Sequence, residues 1–459
     1  MKTLFVSLGC DKNTVDTHRM IGALSGRTSY TLTDDETQAE IIVINTCAFI
    51  DAAKQESIGE ILSLAGLKET GCLKYLVVTG CLAQRYRDEI LRQLPEVDAV
   101  IGTTAQGELG RVLDELTQGH APAGAVLDDP DRPVDTQPQR LTLDSHVGYL
   151  KIAEGCDKCC TYCAIPLIRG HYRSVPMEQL LEEAKDLARQ GARELILVAQ
   201  ETTLYGTDLY GRKMLPELLR RLQLVQGIRW IRVLYCYPEE ITDELIGTIR
   251  DGGKILPYID VPIQHCSDRI LKRMGRRTNR REIEEIIGRL REEIPGICIR
   301  TTLITGFPGE TEDEHRELLE FVRRMEFDRL GVYTYSREED TPAFSFKPQV
   351  HPSTKKRRQK ELMLAQQEIA FRRAAQQKGE VLEAVIDGRI ADALTPDGYV
   401  YVGRTGRDIP DVDSCIYIES ERDLMTGTFV KVRVTGSRDY DLTGILQEDS
   451  EGVQDESAQ

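Results

Sequence analysis

The sequence predicts an α/β protein with three folded parts: an N-terminal domain with a parallel sheet, a partial (β/α)6 TIM-like barrel, and a small antiparallel β-barrel of OB-like type. The chain has 459 residues, which suffices for about three domains of ordinary size. Short runs of branched apolar residues alternate with helix-like stretches through most of the chain, a pattern typical of parallel sheets with crossover helices. The last part instead has short strands separated by glycine turns, as small barrels do.

The N-terminal domain is predicted at 1–120. Its candidate strands are 3–8, 41–46, 75–79 and 99–101. Cys10, Cys47 and Cys81 each follow one of these strands by one or two residues. Ligands bind beyond the carboxyl ends of parallel strands, so we expect the three cysteines to converge there.

The remaining segments follow in chain order. A proline-rich linker is predicted at 121–145, and the partial barrel at 146–352 has candidate strands at 149–153, 194–199, 230–235, 258–262, 298–304 and 330–334. One connecting helix is predicted at 353–379, with Ser353 as its N-cap. The OB-like barrel at 380–447 has candidate strands at 382–386, 398–402, 415–418, 429–434 and 441–446. The acidic tail at 448–459 is expected to be disordered.

The charge distribution bears on the choice of partner. The formal net charge is −16, yet 353–379 carries eight basic against two acidic residues, whereas 381–459 carries 17 acidic against 7 basic residues. Such an acidic end would repel RNA and attract a basic protein, although simple solubility explains it equally well. The basic segment could contact RNA or form a solvated helix face. No apolar run is long enough to span a membrane, so we expect a cytoplasmic protein without a membrane partner.

The chain has 12 cysteines, and in a reducing compartment clustered cysteines indicate metal binding or catalysis. Cys156, Cys160 and Cys163 lie on one loop, with three and then two residues between them. Three thiolates on a loop suit a cubane iron–sulfur cluster with one iron left open for a reactant. The alternative is zinc held by two Cys-X2-Cys pairs that include Cys159, which the adjacency of Cys159 and Cys160 disfavours.

The set Cys10, Cys47 and Cys81 has its own alternative. A buried free cysteine packs as a small hydrophobic residue and needs no metal. Three cysteines at three strand ends of one small domain instead favour a second metal site, again with an incomplete ligand set.

These motifs together resemble the radical S-adenosylmethionine methylthiotransferases over nearly the whole chain. The run 7–13 (SLGCDKN) and the two cysteine sets match that family's motifs, and the final barrel is similar to a TRAM domain. The resemblance implies a radical SAM core in the partial barrel and two 4Fe–4S clusters that face each other across a domain interface. It also implies two uses of S-adenosylmethionine, one as methyl donor and one as the source of a 5′-deoxyadenosyl radical that activates a substrate C–H bond.

Within that family, several runs resemble the RimO branch: 199–203 (AQETT), 235–238 (YCYP) and 262–268 (PIQHCSD). His18 and Glu201 depart from the usual Glu and Asp. The resemblance implies methylthiolation of the β-carbon of an aspartate in small-subunit ribosomal protein twelve, with reduced flavodoxin or ferredoxin as electron donor. One alternative is a tRNA adenosine methylthiotransferase of the MiaB or MtaB type. A second is a zinc-stabilised ribosome-binding module without catalysis.

Further site residues are predicted around the barrel strand ends. By resemblance or by position, four are expected to contact the cofactor: Tyr162, Gln200, Gln264 and Gly306. Three further residues are candidates for substrate chemistry. His265 could orient the substrate or transfer a proton. Arg169 and Arg173 could bind a carboxylate of the substrate. Structural alternatives remain open. Tyr162 could be a core residue, and Gly306 could form a tight turn. His265 could be a hydrogen-bonded core histidine, and Arg169 and Arg173 could be ordinary surface arginines.

Overall fold

The computed structural model describes residues 1–120, 126–127, 129–134, 136, 138–139, 146–395 and 398–447, without the side chains of 391–395. Most of the predicted linker and the whole tail 448–459 lie outside the described residues. The strands are Lys2–Ser7 (β1), Thr31–Leu32 (β2), Ile41–Thr46 (β3), Tyr75–Gly80 (β4), Ala99–Ile101 (β5), Val147–Lys151 (β6), Ala153–Glu154 (β7), Arg173–Ser174 (β8), Glu194–Val198 (β9), Trp230–Val233 (β10), Ile255–Asp260 (β11), Cys298–Thr305 (β12), Arg329–Thr334 (β13), Val381–Thr395 (β14), Gly398–Thr405 (β15), Ile416–Ser420 (β16), Phe429–Arg438 (β17) and Asp441–Leu446 (β18).

Helices connect most of these strands. They are Asp11–Leu24 (α1), Asp51–Ala65 (α2), Leu67–Thr70 (α3), Cys81–Gln93 (α4), Leu109–Thr117 (α5), Ile165–Arg169 (α6), Met177–Arg189 (α7), Thr207–Tyr210 (α8), Leu215–Leu222 (α9), Asp243–Asp251 (α10), Asp268–Arg273 (α11), Arg280–Glu293 (α12), Glu312–Met325 (α13) and Pro352–Gln376 (α14). Among the described residues, no helix has the length and apolar character needed to cross a membrane.

The N-terminal sheet is parallel and has the order β2-β1-β3-β4-β5, as the alternating pattern predicts. Its central strand β3 is buried at every position, because helices cover both faces. Ile42 and Ile44 belong to the apolar cluster on one face, and Ile41 and Val43 to the cluster on the other. This explains why β3 is a continuous apolar run rather than an alternating one.

The middle sheet is parallel and has the order β6-β9-β10-β11-β12-β13, which confirms the predicted β/α units. Side chains such as Leu195 and Leu197 pack outward against the helices. On the inner face, Ile196 and Tyr258 form a separate cluster with Val15 of α1. The same cluster includes Val385 and Ile409, so the inner face of the partial barrel packs against both α1 and the C-terminal barrel.

The C-terminal barrel is closed in the order β14-β15-β16-β18-β17. The predicted OB-like barrel is confirmed, and one of its strand pairs, β16 with β18, is parallel rather than antiparallel. The hairpin of β17 and β18 turns back so that β17 closes the barrel against β14, and β18 then lies beside β16 in the same direction. This is the strand order of an OB-like barrel.

A buried ion pair attaches this barrel to the middle domain. The Glu194 carboxylate at the start of β9 accepts hydrogen bonds from Arg232 (2.8 Å) and from Arg404 of β15 (2.8 Å). All three side chains are at most 5% exposed. The C-terminal barrel is therefore fixed at the amino ends of the middle strands, opposite the predicted catalytic end.

The connecting helix α14 differs from its prediction at both ends. It begins at Pro352, and the N-cap is His351, whose Nδ1 accepts a hydrogen bond from the backbone N–H of Ser353 (3.3 Å). Ser353 is therefore not the N-cap, because proline in the first helical position at 352 places the N-cap at His351, two residues earlier. The helix ends at Gln376 rather than Gly379.

The basic residues of α14 are engaged within the chain. Arg357 and Arg358 both donate hydrogen bonds to Glu312, at 2.8 to 3.0 Å. Arg358 also donates to Glu310 (3.0 Å), and Arg373 donates to Asp328 (2.9 Å). Much of the positive charge that could attract RNA is thus paired with acidic residues of this chain.

Candidate iron–sulfur and cofactor site

The cysteines of the N-terminal domain lie at neighbouring strand ends. Cys10 is the N-cap of α1 after β1, Cys47 follows β3, and Cys81 is the first residue of α4 after β4. These three strands are adjacent and parallel, so their carboxyl ends share one edge of the sheet. A Cβ atom on Gly9, which has φ of +94°, would lie 2.6 Å from Cys47 Cβ and 3.0 Å from its Sγ. The structure therefore brings the predicted second set together.

The environment of this set disfavours free thiolates. Burial, together with the charges of Cys81 and Cys10, raises the pKa of the Cys47 thiol to about 12. Burial also raises the pKa of Cys81, whereas the Arg169 guanidinium acts in the opposite direction. Close thiolates that repel one another in a buried site need a cationic centre to hold them, which is what an iron–sulfur cluster provides. The donor set fits the group that the family resemblance implies.

The cysteines of the predicted radical SAM set lie on the loop between β7 and α6. Cys156 and Cys160 are buried and Cys163 is half-buried, while Cys159 is exposed and has φ of +53°. The left-handed conformation at Cys159 turns its side chain outward, away from its neighbours on the loop. The structure thus separates Cys159 from the three cysteines of the predicted ligand set.

The thiols of this loop also have raised pKa values. Burial raises the pKa of Cys156 to about 11 and raises that of Cys163 further, with the charge of Cys160 acting in the same direction on both. The charge of Arg276 acts in the opposite direction on the pKa of Cys163, and Arg276 Nη1 lies 4.0 Å from Cys160 Sγ. The same guanidinium lies 4.2 Å from the centre of the Tyr237 ring, whose hydroxyl is 3.9 Å from Cys160 Sγ.

Sequence reasoning missed both Arg276 and Tyr237. Tyr237 lies within a run that carried the family resemblance, but nothing in the spacing assigned it a role. Arg276 follows a turn at Gly275, where an added Cβ would lie 3.4 Å from the carbonyl oxygen of Cys159. Close approach of these two backbones brings the arginine to the cysteine loop.

No group of three or more His, Cys, Asp or Glu side chains converges on a single metal ion in the part of the chain that the structure describes. A cubane site does not require such convergence, because each cysteine ligates a different iron atom of the cluster.

Gln200 and Gln264 lie just beyond strands of the partial barrel. Gln264 has φ of +71°, a conformation that is uncommon for residues other than glycine and that often marks functional sites. In both residues the side-chain oxygen is buried and has no hydrogen-bond partner among the described residues. Gln200 Nε2 donates to Glu154 Oε1 (2.8 Å), just before the cysteine loop. Two unpaired amide oxygens at these strand ends fit a site for a polar cofactor.

Tyr162 and Gly306 both lie next to Phe307, which belongs to an aromatic cluster with Tyr335 and Phe346. The Tyr162 ring contacts Phe307 edge-on, with 6.5 Å between ring centroids. The backbone N–H groups of Gly306 and Phe307 donate to Glu310 Oε2, at 2.5 and 3.1 Å. An added Cβ on Gly306 would lie 2.4 Å from Lys355 Cγ. Gly306 therefore permits a tight turn under α14, and its N–H is engaged by Glu310.

His265 is fully buried, and the structure places it in a polar environment formed by helices. Its Nδ1 accepts a hydrogen bond from the backbone N–H of Ser267 (2.9 Å). Burial lowers its pKa to about 3, and the charges that act on it belong to Glu314, His315, Arg358 and Arg269. These residues lie on or beside α11, α13 and α14, not on the cysteine loops. His265 is thus a core histidine with one hydrogen-bonded ring nitrogen, whereas its Nε2 is buried and has no hydrogen-bond partner among the described residues.

Arg169 is buried where the N-terminal domain meets the middle domain. Its Nη1 donates to Asp16 (2.8 Å) and to Glu154 (3.2 Å). Its Nη2 donates to Asn13 (2.8 Å) and lies 3.5 Å from Cys81 Sγ. Both terminal nitrogens are therefore engaged within the chain, and the expectation that Arg169 binds a substrate carboxylate does not fit this geometry. It instead joins the second cysteine set to the radical SAM core.

Arg173 is also engaged locally. Its Nη2 donates to the carbonyl oxygen of Arg169 (3.0 Å), and its Nη1 contacts the carbonyl oxygen of His171 and Asp131 Oδ1. These contacts stabilise the loop between α6 and β8, and they do not fit the expected role in binding a substrate carboxylate.

Family models match three successive parts of the chain. Residues 2–102 match the Uncharacterized protein family UPF0004, residues 150–322 match the Radical SAM superfamily, and residues 379–446 match the TRAM domain. Among solved structures, the radical S-adenosylmethionine methyltransferase TsrM from Kitasatospora setae is similar with a TM-score of 0.56 at 14% identity, over 74% of this chain and 76% of that chain. At this identity the similarity concerns the fold.

Curated relatives match over nearly the full length. The ribosomal protein uS12 methylthiotransferase RimO of Lachnoclostridium phytofermentans is 54% identical over 97% of this chain and 100% of its own length. The protein of the same name from Acetivibrio thermocellus is 46% identical over 98% of this chain and 99% of its own, and that from Geobacter sulfurreducens is 46% identical over 96% and 98%. The resemblance read from the cysteine motifs is therefore confirmed, and the chain belongs to the RimO family of radical SAM methylthiotransferases.

Proposed function

We propose that this enzyme methylthiolates the β-carbon of an aspartate in ribosomal protein uS12, with S-adenosylmethionine as both methyl donor and radical source. The observation that carries the proposal is the near-full-length identity of 44–54% to curated uS12 methylthiotransferases. The presence of both cysteine sets in this chain supports the same reaction, which needs a radical source and a separate sulfur site.

The proposal assigns one 4Fe–4S cluster to each cysteine set. Cys156, Cys160 and Cys163 would hold the first, and Cys10, Cys47 and Cys81 the second. When bound, these clusters and S-adenosylmethionine supply the one-electron chemistry that activates a C–H bond and the sulfur and methyl groups that are transferred. Three ligands in each set leave one iron free for a reactant.

The protein's own residues would stabilise and enclose this chemistry. Arg276 and Arg169 each bring a buried guanidinium to one cysteine set, where positive charge stabilises thiolates and an anionic cofactor. The amide groups of Gln200 and Gln264 offer unpaired acceptors at the strand ends. Ile168 of α6 and Leu82 of α4 belong to one apolar cluster, which would limit the access of water beside the cysteine sets.

The charge distribution favours a protein substrate over tRNA. The basic arginines of α14 are paired within the chain, and the C-terminal segment has an excess of acidic residues. Ribosomal proteins are strongly basic and would be attracted to that surface, whereas RNA phosphates would be repelled. The reaction would take place in the cytoplasm, with reduced flavodoxin or ferredoxin as the electron donor.

The test offers both substrates to the reconstituted enzyme under anaerobic conditions. We expect mass spectrometry to detect the addition of one methylthio group to an aspartate of uS12 and none to tRNA nucleosides. Modification of tRNA adenosine without modification of uS12 would contradict the proposal and favour the MiaB or MtaB type of activity.

A further inference from the structure

Lys12 places a buried ammonium group between the N-terminal domain and the strand ends of the partial barrel. It lies in the first turn of α1, two residues after Cys10, and is 7% exposed. Its Nζ lies 3.1 Å from the centre of the Tyr235 ring. Among the residues that the structure describes, Lys12 Nζ has no hydrogen bond and no ion pair. A buried ammonium without an anionic partner is costly and is retained where a ligand supplies that partner.

The negative charges that act on Lys12 belong to Cys10, Asp11, Asp260 and Glu154. Cys10 is a ligand of the proposed cluster, and each of the three carboxylates is already engaged by another donor. Asp11 accepts from the Tyr235 hydroxyl (3.2 Å), Asp260 accepts from Arg300 (3.1 Å) and from the Tyr235 N–H (3.1 Å), and Glu154 accepts from Lys151 (2.6 Å), Arg169 (3.2 Å) and Gln200 (2.8 Å). The local carboxylates therefore have their own partners, and none of them forms a hydrogen bond or ion pair with the Lys12 ammonium in the part of the chain that the structure describes.

Lys12 lies between the N-terminal cysteine set and the strand ends that adjoin the radical SAM cysteine loop. Tyr235 follows β10 and has φ of +61°, so a strained backbone holds its ring against the ammonium. Asp260 ends β11, and Glu154 directly precedes the radical SAM cysteine loop. Lys12 thus lies above the carboxyl ends of the barrel strands and beside Cys10. A group bound between the two cysteine sets would lie near this ammonium.

We infer that Lys12 binds the side-chain carboxylate of the substrate aspartate and selects a carboxylate-bearing substrate. The inference rests on the proposed function and adds the group that recognises the reacting side chain. The carboxyl carbon of aspartate is bonded directly to the β-carbon, so one contact to the carboxylate orients the carbon that reacts. Adenosine has no carboxylate and would leave the ammonium without a partner.

The test compares binding of uS12 with that of a uS12 variant that has asparagine in place of the modified aspartate. The reconstituted wild-type enzyme should bind the aspartate form about 10- to 100-fold more tightly, the range for a charge-assisted hydrogen bond. Lys12→Met should lose this preference, and its iron content and cofactor cleavage in the absence of substrate are measured alongside. Lys68→Met is the matched control, because Lys68 pairs with Asp98 in the same domain (2.6 Å).

Each outcome decides the question. Equal binding of the two forms by the wild-type enzyme overturns the inference, whether or not the Lys12 variant folds, and so does a Lys12→Met enzyme that keeps the preference. Loss of the preference in Lys12→Met but not in Lys68→Met supports it. A wild-type enzyme that modifies tRNA and not uS12 marks the failure of the proposed function itself. An enzyme that modifies uS12 without this preference marks the failure of the Lys12 assignment alone.

Discussion

The two cysteine sets are built in different ways. The radical SAM set lies on one short loop, and its arginine, Arg276, comes from the same domain. The second set is assembled from three strand ends that are 37 and 34 positions apart in sequence, and its arginine, Arg169, comes from the neighbouring domain. The first set is therefore complete within the radical SAM core. The second is completed only when the N-terminal domain is docked on that core.

The largest expected difference between the two cysteine sets is the activity that each set loses when one of its ligands is removed. Cys160→Ala should abolish cleavage of S-adenosylmethionine, since the radical SAM cluster would lose a ligand. Cys47→Ala should retain cleavage and lose methylthio transfer, because only the sulfur site is damaged. Formation of 5′-deoxyadenosine and mass analysis of uS12 measure the two activities separately. A Cys47→Ala enzyme that still transferred methylthio groups would contradict the assignment of the second set.

The next comparison concerns the two buried arginines. Arg169→Met removes a partner from the buried carboxylates Asp16 and Glu154, so it should cost about 3–5 kcal/mol of stability. It should also lower the reduction potential of the N-terminal cluster, because a positive charge near a ligand sulfur is lost. Urea unfolding and redox titration followed by electron paramagnetic resonance measure both effects.

Arg276→Met is the matched variant for the other set. It should lower the potential of the radical SAM cluster and leave that of the N-terminal cluster unchanged. If Arg169→Met changed neither stability nor the potential of the N-terminal cluster, the role of Arg169 in joining the domains would be refuted.

A smaller effect is expected from a single methyl group at the second set. Gly9→Ala would force a Cβ to within 2.6 Å of Cys47 Cβ at φ of +94°. This strain should cost about 1–3 kcal/mol and reduce iron binding by the N-terminal set. Gly59→Ala in α2 has no neighbour within 4 Å and should instead stabilise the protein by about 0.5–1 kcal/mol. Equal iron content in the two variants would argue against close packing of Gly9 on Cys47.

The sequence predicted much of the fold because the decisive signals are local. The continuous apolar run of β3 and the alternation of strands and helices reflect burial by layers of helices, and both are readable without the structure. The parallel pairing of β16 with β18 was not predictable in this way, because it depends on how distant strands close the barrel. The N-cap of α14 was misassigned by two positions, since Ser353 and His351 both precede an apolar periodic run.

At the candidate site, too, only the features with a local sequence signal could be predicted. Spacing identified the radical SAM loop, and strand ends identified the second set. The arginines that approach them are separated from their cysteines by 116 positions for Arg276 and 88 positions for Arg169, so no motif connects them. His265 was a reasonable candidate at a strand end, but its side chain lies among helices, and a strand-end position alone does not define side-chain direction.

The central claim is that each of the two cysteine sets holds its own four-iron cluster. Anaerobic iron and sulfide analysis of the reconstituted enzyme, together with its Cys47→Ala and Cys160→Ala variants, tests this most directly. The account predicts roughly eight irons per chain in the wild-type protein and roughly four in each variant. A wild-type protein with only one cluster, or with zinc in place of iron, would contradict it.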